Sequence, residues 1–416
     1  MASEDDRLDW LRLVLTPGLG PSTRHNLLEA FETPAGVFAQ SEETLLRVPS
    51  IEPKQVRAIR RTADGERERE AEKERLFLEA KGVRIVARSD PDFPPRLLRI
   101  DPSPTLLFVR GTLEEGDIDS VAVVGTRRCD SYGLRMTREI VTELSAHGLS
   151  IVSGLANGID GAAHRAALAR GGRTWAFLPC GFETLYPPDH IELAEEIVQN
   201  GALLSEFTMS VKPIPRCFPT RNRLVSGCAL GVLIVQAPKK SGALITAARA
   251  MEQNREVFAV PGRVDEPGSE GPHALIQDGA KLVRNADDIL CEIAPLLSKP
   301  LESHRRTSKA GGRSSSPPVE EEVGQARRTA RGGLGTAVPP SDSVSGKSPE
   351  PTRKPETYAD PLDGRIVERL EEGPTHIDRI CERLGVPVRK VSERLLILEM
   401  SGIVRRLPGM TFDLSR

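Results

Sequence analysis

The sequence predicts an α/β protein with a Rossmann-like parallel sheet core, a helical (helix-hairpin-helix/SAM-like) domain before it and a winged-helix domain after it. Three observations carry this. In residues 83–297, short runs of Val, Ile, Leu and Ala alternate with helical patterns of about 10 to 15 residues. Residues 1–82 and 358–416 show apolar spacings of three and four instead. Residues 298–357 are rich in Ser, Pro, Gly, Arg and Glu with hardly a large aliphatic, which predicts a disordered linker because little apolar surface offsets the entropy of ordering.

In the first segment, Trp10, Leu13 and Val14 precede a break at Pro17-Gly18-Leu19-Gly20-Pro21, and Leu27, Leu28 and Phe31 follow it. Helix, glycine turn, helix resembles a helix-hairpin-helix, whose turn amides can meet a phosphate. Simple helical packing is the stronger reading, because a second candidate turn at Val48-Pro49-Ser50-Ile51-Glu52-Pro53 lacks glycine. Thr62–Lys81 reads as a solvated helix with a narrow apolar stripe at Leu76, Phe77 and Ala80.

Strands are predicted at 121–124, 150–152, 174–178, 202–204, 231–235, 257–260 and 281–283. Near-continuous apolar strands separated by helices imply a parallel sheet covered on both faces. In the last segment Ile366, Val367 and Leu370, then Ile377, Ile380 and Leu384 closed by Gly385, then Val388, Val391, Leu395, Leu396 and Leu398 predict three helices. Gly402 and an extended Ile403–Arg406 would form the wing. Arg389, Lys390, Arg394, Arg405 and Arg406 could face a groove, yet ten basic residues balance ten acidic ones in 358–416. Duplex binding and a protein-interaction role stand level there. The linker, with eleven basic and seven acidic residues, is a tether first and a loose electrostatic contact second.

Charge narrows the function. The 416-residue chain has a formal net charge of −2, but Ser210–Arg263 holds nine Lys or Arg against two acids. Nucleic acid would therefore be held at a patch and not over the whole surface. Six cysteines with no Cys-x-x-Cys pair and seven histidines without ligand spacing predict no disulfide framework and no metal. The acidic, polar start and the lack of an apolar run of about 18 residues predict a cytoplasmic protein with no membrane segment.

The patch lies where predicted strands end. Gly125, Thr126 and Arg127 end the first core strand, supplying close backbone approach, a hydroxyl and a guanidinium. Gly154 and Asn157 lie in the glycine-rich Ser153–His164 loop, with Asp160 expected as a helix N-cap. For Asp160 and His164, cap and turn stabilisation outweighs direct chemistry, since no nucleophile sits at a suitable spacing. Phe218, Arg221, Asn222 and Arg223 precede the Leu230–Val235 strand, and Lys239, Lys240, Ser241 and Gly242 open the helix after it. Phe182 and Tyr186 offer stacking faces in Leu178–Pro188. No GxGxxG, Walker lysine motif or acidic metal cluster accompanies these turns, so no catalytic residue and no cofactor are expected. A phosphate backbone fits them better than a nucleotide cofactor.

Together these stretches, with Ser205-Glu206, Ser241–Thr246, Val260-Pro261-Gly262 and Leu275–Ala280, resemble the DNA-processing DprA/Smf family of bacteria in order and spacing. The resemblance implies single-stranded DNA binding at the sheet edge, a homodimer through the Rossmann-like domains, and loading of RecA in natural transformation, with single-strand-binding protein as a further partner. It implies Arg127 and the Ser241-Gly242 amides as strand contacts, Phe218 as a base platform, and Arg221 and Arg223 as phosphate clamps. Thr126 stands where the family has serine and keeps the hydroxyl. His190 replaces an asparagine, which bears on the loop around it. Two alternatives remain. A phosphoribohydrolase-like nucleotide-binding enzyme shares the fold, but Thr246 occupies the place of its catalytic glutamate. A winged-helix regulator would require specific duplex binding.

Overall fold

A computed structural model of the chain describes residues 4–298, 360–407 and 409–415. Six helices come first: α1 (Glu4–Leu15), α2 (Pro21–Phe31), α3 (Pro34–Phe38), α4 (Glu42–Leu46), α5 (Pro53–Ala63) and α6 (Glu68–Ala80). Thr33 and Ser41 cap α3 and α4 with their hydroxyls, and Pro34 and Pro53 occupy first helical positions, where a missing N–H loses nothing. In the Pro17–Pro21 turn Leu19 is buried while Pro17, Gly18 and Gly20 are exposed, and two of its carbonyls are tied inward. The Gly18 carbonyl accepts from Gln55 Nε2 at 2.8 Å and the Leu19 carbonyl from Arg24 at 2.9 Å. The expected stripe on α6 is corrected: Ala71, Glu74 and Leu78 are buried, whereas Leu76 is 52% exposed. Glu74 faces inward because its carboxylate accepts the Met209 amide at 2.6 Å.

The sheet follows, as β1 (Arg84–Ala87), β2 (Leu106–Gly111), β3 (Ser120–Val124), α7 (Ser131–Ala146), β4 (Ser150–Ser153), α8 (Ile159–Ala169), β5 (Thr174–Phe177), α9 (Ile191–Gln199), β6 (Gly201–Ser205), α10 (Cys217–Cys228), β7 (Gly231–Ile234), α11 (Gly242–Glu252), β8 (Glu256–Ala259), α12 (Glu270–Gln277), β9 (Lys281–Leu282) and α13 (Ala286–Ile293). All seven predicted strands form. Their order is β1-β2-β6-β5-β4-β3-β7-β8-β9, parallel from β6 to β9. The expectation of a purely parallel sheet is corrected at one edge, where β2 runs antiparallel to β6 and β1 antiparallel to β2.

Side chains alternate across the sheet. Ala122, Val124, Val152, Phe177 and Ile234 join Leu224, Val225 and Ala247 on one face. Val121, Val123, Ile151 and Phe258 join Ile140, Leu144, Ile289 and Ile293 on the other. A third core, with Trp10, Leu27, Ile59 and Leu78, closes over Ile85 and Phe108 of the edge hairpin. The hairpin thus seats the N-terminal helices.

After the linker, which lies outside the described residues from 299, come α14 (Pro361–Glu371), β10 (Thr375–His376), α15 (Ile377–Leu384), α16 (Val388–Met400), β11 (Val404–Leu407) and β12 (Thr411–Leu414). The small sheet, ordered β10-β12-β11 beside three helices, is a winged helix. Gly385 ends α15 at φ +64°, a left-handed position that favours glycine. Val388, Val391, Leu395 and Leu398 are core, but Leu396 is 57% exposed, against expectation.

Candidate nucleic-acid interface

Strand order reverses at β3, so the carboxyl ends of β3 and β7 form the switch point where a doubly wound sheet opens a crevice. Here the crevice is filled. The Thr126 amide donates to the Gln236 carbonyl at 2.7 Å, and the Gln236 side chain bonds Asp130 through its amide, with Nε2 to Oδ1 at 3.0 Å. Gly133 leaves room for that side chain, since a Cβ there would lie 2.1 Å from Gln236 Oε1. Gln236 and Asp130 were missed by sequence reasoning, because nothing in their spacing marks two residues 106 apart as partners.

The exposed chemistry lies beside this plug. Gly125 is where the β3 end meets α8: a Cβ would come 2.5 Å from Ile159. Gly158, at φ +81°, passes the Thr126 carbonyl so closely that a Cβ would sit 2.3 Å away. Thr126 Oγ1 accepts the Arg128 amide at 3.2 Å, closing the turn. Arg127 is thereby projected outward, and its guanidinium carbon lies 5.1 Å from the centroid of the half-buried Phe218 ring. Tyr186 packs edge-on against the same ring, centroids 5.8 Å apart. Phe182 instead packs, partly buried, against two apolar clusters.

Arg221 and Arg223, expected as phosphate clamps, are instead buried and bonded within the protein. Arg221 is 4% exposed. Its Nη1 donates to the carbonyls of Gly154 (2.6 Å) and Phe177 (2.5 Å), tying the ends of β4 and β5 to α10. Burial pushes its pKa down to about 10, while Asp160 opposes that shift. Gly154 is there for the same reason, because a Cβ would stand 2.1 Å from Arg221 Nη1. Arg223, 6% exposed, pairs with buried Glu206 and donates to the Pro102 carbonyl at 2.9 Å.

Asp160 is likewise not the N-cap of α8, a position Gly158 holds. Its buried carboxylate accepts the Gly154 amide at 3.1 Å, and burial raises its pKa. His164 is buried, with Nδ1 2.7 Å from Thr174 Oγ1; burial pushes its pKa down to about 3. His190, also buried, places Nδ1 2.9 Å from the Leu155 carbonyl, so it braces the glycine loop from beneath. Leu155 itself sits at φ +57°, a strained backbone for a branched residue.

At α11, Ser241 caps the helix by accepting the Ala243 amide at 3.2 Å. The Lys239 amide is 3.3 Å from Glu270 Oε2. The side chains of Lys239 and Lys240 are exposed above a depression of about 540 Å³ that Ser241 and Gly242 also line. Asn222 links the parts, accepting from Arg221 Nε at 3.1 Å and donating to the Gly242 carbonyl at 3.4 Å. Asn157 is exposed, 3.5 Å from Asp189. Thr246 is 2% exposed in α11, so the glutamate's place in a phosphoribohydrolase is filled by a buried hydroxyl.

Residues 84–294 match the family model for DNA recombination-mediator protein A, and residues 348–410 the DprA winged helix domain. The chain is similar to Protein Smf of Synechocystis sp., 34% identical over 339 residues, covering 80% of each chain. It is similar to Protein Smf of Escherichia coli, 36% identical, covering 80% of this chain and 78% of the other. The X-ray structure of DNA processing protein A from Streptococcus pneumoniae aligns at a TM-score of 0.61 with 32% identity, over 68% of this chain and 97% of that one.

Proposed function

Since this chain belongs to the DNA recombination-mediator protein A family, also called DprA or Smf, we propose that it binds single-stranded DNA at the sheet edge and hands the strand to RecA. The observation that carries the reading is the exposed Arg127 guanidinium lying over the half-buried Phe218 ring, with Tyr186 packed edge-on against the same ring. A base can stack where aromatic and guanidinium planes are offered, contributing about 1 to 3 kcal/mol without reading sequence. Lys239 and Lys240 neutralise phosphates beside it. The β3–α7 turn, the α10 start and the α11 start form one surface through Thr126–Gln236 and Asn222–Gly242.

This reading carries four segments: helical residues 1–82, the binding core 83–297, a tether 298–357 and the winged helix 358–416. It also carries a cytoplasmic homodimer that gathers two strands, displaces single-strand-binding protein and acts in natural transformation and recombination. RecA delivery rests on family membership. Among the described residues no helix is long and apolar enough to cross a membrane.

The test is fluorescence anisotropy with a labelled oligonucleotide over a salt series, followed by RecA filament formation on strand coated with single-strand-binding protein. Each neutralised phosphate contributes about 0.7 to the slope of log affinity against log salt for a single strand. Replacing Arg127, Lys239 and Lys240 by Ala is expected to lower that slope by about 2 and to abolish RecA acceleration. An unchanged slope removes these residues from the site, and hydrolysis of nucleoside monophosphates would favour the enzyme reading.

A further inference from the structure

A winged helix reads duplex DNA with the N-terminal turns of its third helix and with its wing. In this chain the start of that helix and the tip of the wing each touch the sheet domain through loop and helix residues, and the N-terminal helices, sheet and winged helix pack as one unit. At the start of α16, Ser392 Oγ accepts from Asn254 Nδ2 at 2.8 Å and Arg389 reaches Asp101 at 3.3 Å. At the wing, Gly409 lies so close to α13 that a Cβ would be 3.2 Å from the Glu292 carbonyl.

Between these contacts is a buried ion cluster. Asp378, at the start of α15, accepts from Arg96 Nη1 and Arg255 Nη1 through the same oxygen, each at 2.8 Å. The three side chains are 8% exposed or less. Arg96 also donates to the Ile118 carbonyl, just before β3, and Arg255 to the Gly227 carbonyl in the last turn of α10. The winged helix is therefore held at the amino ends of the strands, opposite the interface of Arg127. His376 completes the fit by capping α15, its Nδ1 accepting the Asp378 amide at 3.1 Å.

We infer that the surface by which a winged helix enters a DNA groove is here a protein-binding surface, and that its partner is the amino edge of this chain's own sheet, latched by Asp378 between Arg96 and Arg255. The neutral charge balance of residues 358–416 agrees, because a duplex reader needs an excess of cations and an intramolecular contact does not. Arg389 and Lys390 line a cleft of about 1050 Å³ and are open to water there, Arg389 at 81%, but its facing wall of Ile100–Pro102 and Arg249–Asn254 stands on the side from which a duplex would approach while the latch is closed. A buried carboxylate shared by two guanidiniums fixes orientation, a role for which buried ion clusters are suited.

The experiment uses the full-length chain with the exposed Cys291 replaced by Ser. Thiol labelling of a Ser392→Cys variant reports the contact, and anisotropy with a labelled duplex reports groove reading. In the otherwise unaltered chain, labelling is expected to be slow and duplex affinity to be unchanged by Arg389→Ala with Lys390→Ala. Asp378→Ala is expected to speed labelling at least tenfold and to raise duplex affinity about tenfold, a gain that the Arg389 and Lys390 changes cancel. Arg96→Gln, which leaves Arg255 on the carboxylate, gives an intermediate result if Asp378→Ala unfolds the domain, as circular dichroism will show. The inference is overturned if duplex affinity falls when Arg389 and Lys390 are replaced in the latched chain, or if breaking the latch in a folded variant changes neither readout.

Discussion

Arginine identity alone says little about role in this chain, and burial separates three arginines drawn from one basic stretch and its neighbour. Arg127 faces solvent over Phe218, whereas Arg221 and Arg223 are 4% and 6% exposed and bonded to carbonyls or Glu206. Their substitutions should behave differently. Arg127→Ala is expected to weaken strand binding while leaving thermal unfolding unchanged. Arg223→Ala leaves Glu206 buried without its partner, a situation that costs about 3 to 5 kcal/mol. A differential scanning calorimetry comparison checks this: equal melting temperatures for the two variants would contradict the assignment. The sequence could show that cations cluster here, but a guanidinium in solvent and one under a loop have the same letter. Only the facing carbonyls of Gly154 and Phe177 distinguish them.

Elements position the exposed side chains through glycine-permitted close approach. The β3–α7 turn stands as it does because Gly158, at φ +81°, lets the α8 start pass within contact of the Thr126 and Arg127 backbone. Gly158→Ala would place a Cβ 2.3 Å from a backbone oxygen in a conformation that alanine adopts at a penalty. The expected outcome is a loss of about 1 to 3 kcal/mol in urea unfolding together with weaker oligonucleotide binding, although residue 158 itself offers no side chain to a strand. Retained affinity would show that Arg127 needs no such support. The glycine-rich pattern was legible in sequence as a tight turn. What it holds was not, because Thr126 and Gly158 are far apart along the chain and meet only once β3 and β4 are side by side. The missed edge hairpin has a similar cause: β1 and β2 are joined by a long Pro-bearing connection instead of a short turn with a recognisable signal.

At the scale of the whole molecule, stability should depend on pH through histidines held neutral inside. Burial pushes His164 down to about 3 and His376 to about 4, against an ordinary value of 6.5. Below about pH 6.5 the unfolded chain takes up protons that these folded sites refuse, so stability is full above 6.5 and falls as pH drops toward 4. Each site contributes about 1.4 kcal/mol per pH unit within its window. Buried Asp160 and Glu74, whose pKa values are raised, act with the opposite sign. The discriminating measurement is therefore a comparison: urea unfolding at pH 7, 6 and 5 for the unaltered chain and for His164→Gln, which should lose less stability on acidification. Parallel curves would mean that His164 is protonated in the folded state. Asp378, held at about 2 by Arg255 and Arg96 in spite of its burial, keeps its charge throughout this range.

Periodicity and composition by themselves determined the order of helical, sheet and winged-helix parts, all seven parallel strands and the place where a cationic patch would gather. These are local properties, since a strand buried on both faces or a helix with one apolar stripe must carry its pattern in consecutive residues. The tertiary structure alone decided that Arg221 and Arg223 are internal ties, that Gln236 closes the switch-point crevice, and that Asp378 is gripped from two other elements. Each of those facts joins residues distant in the chain. A charged or polar group's role follows from the partners and solvent around it, which its neighbours in sequence do not specify.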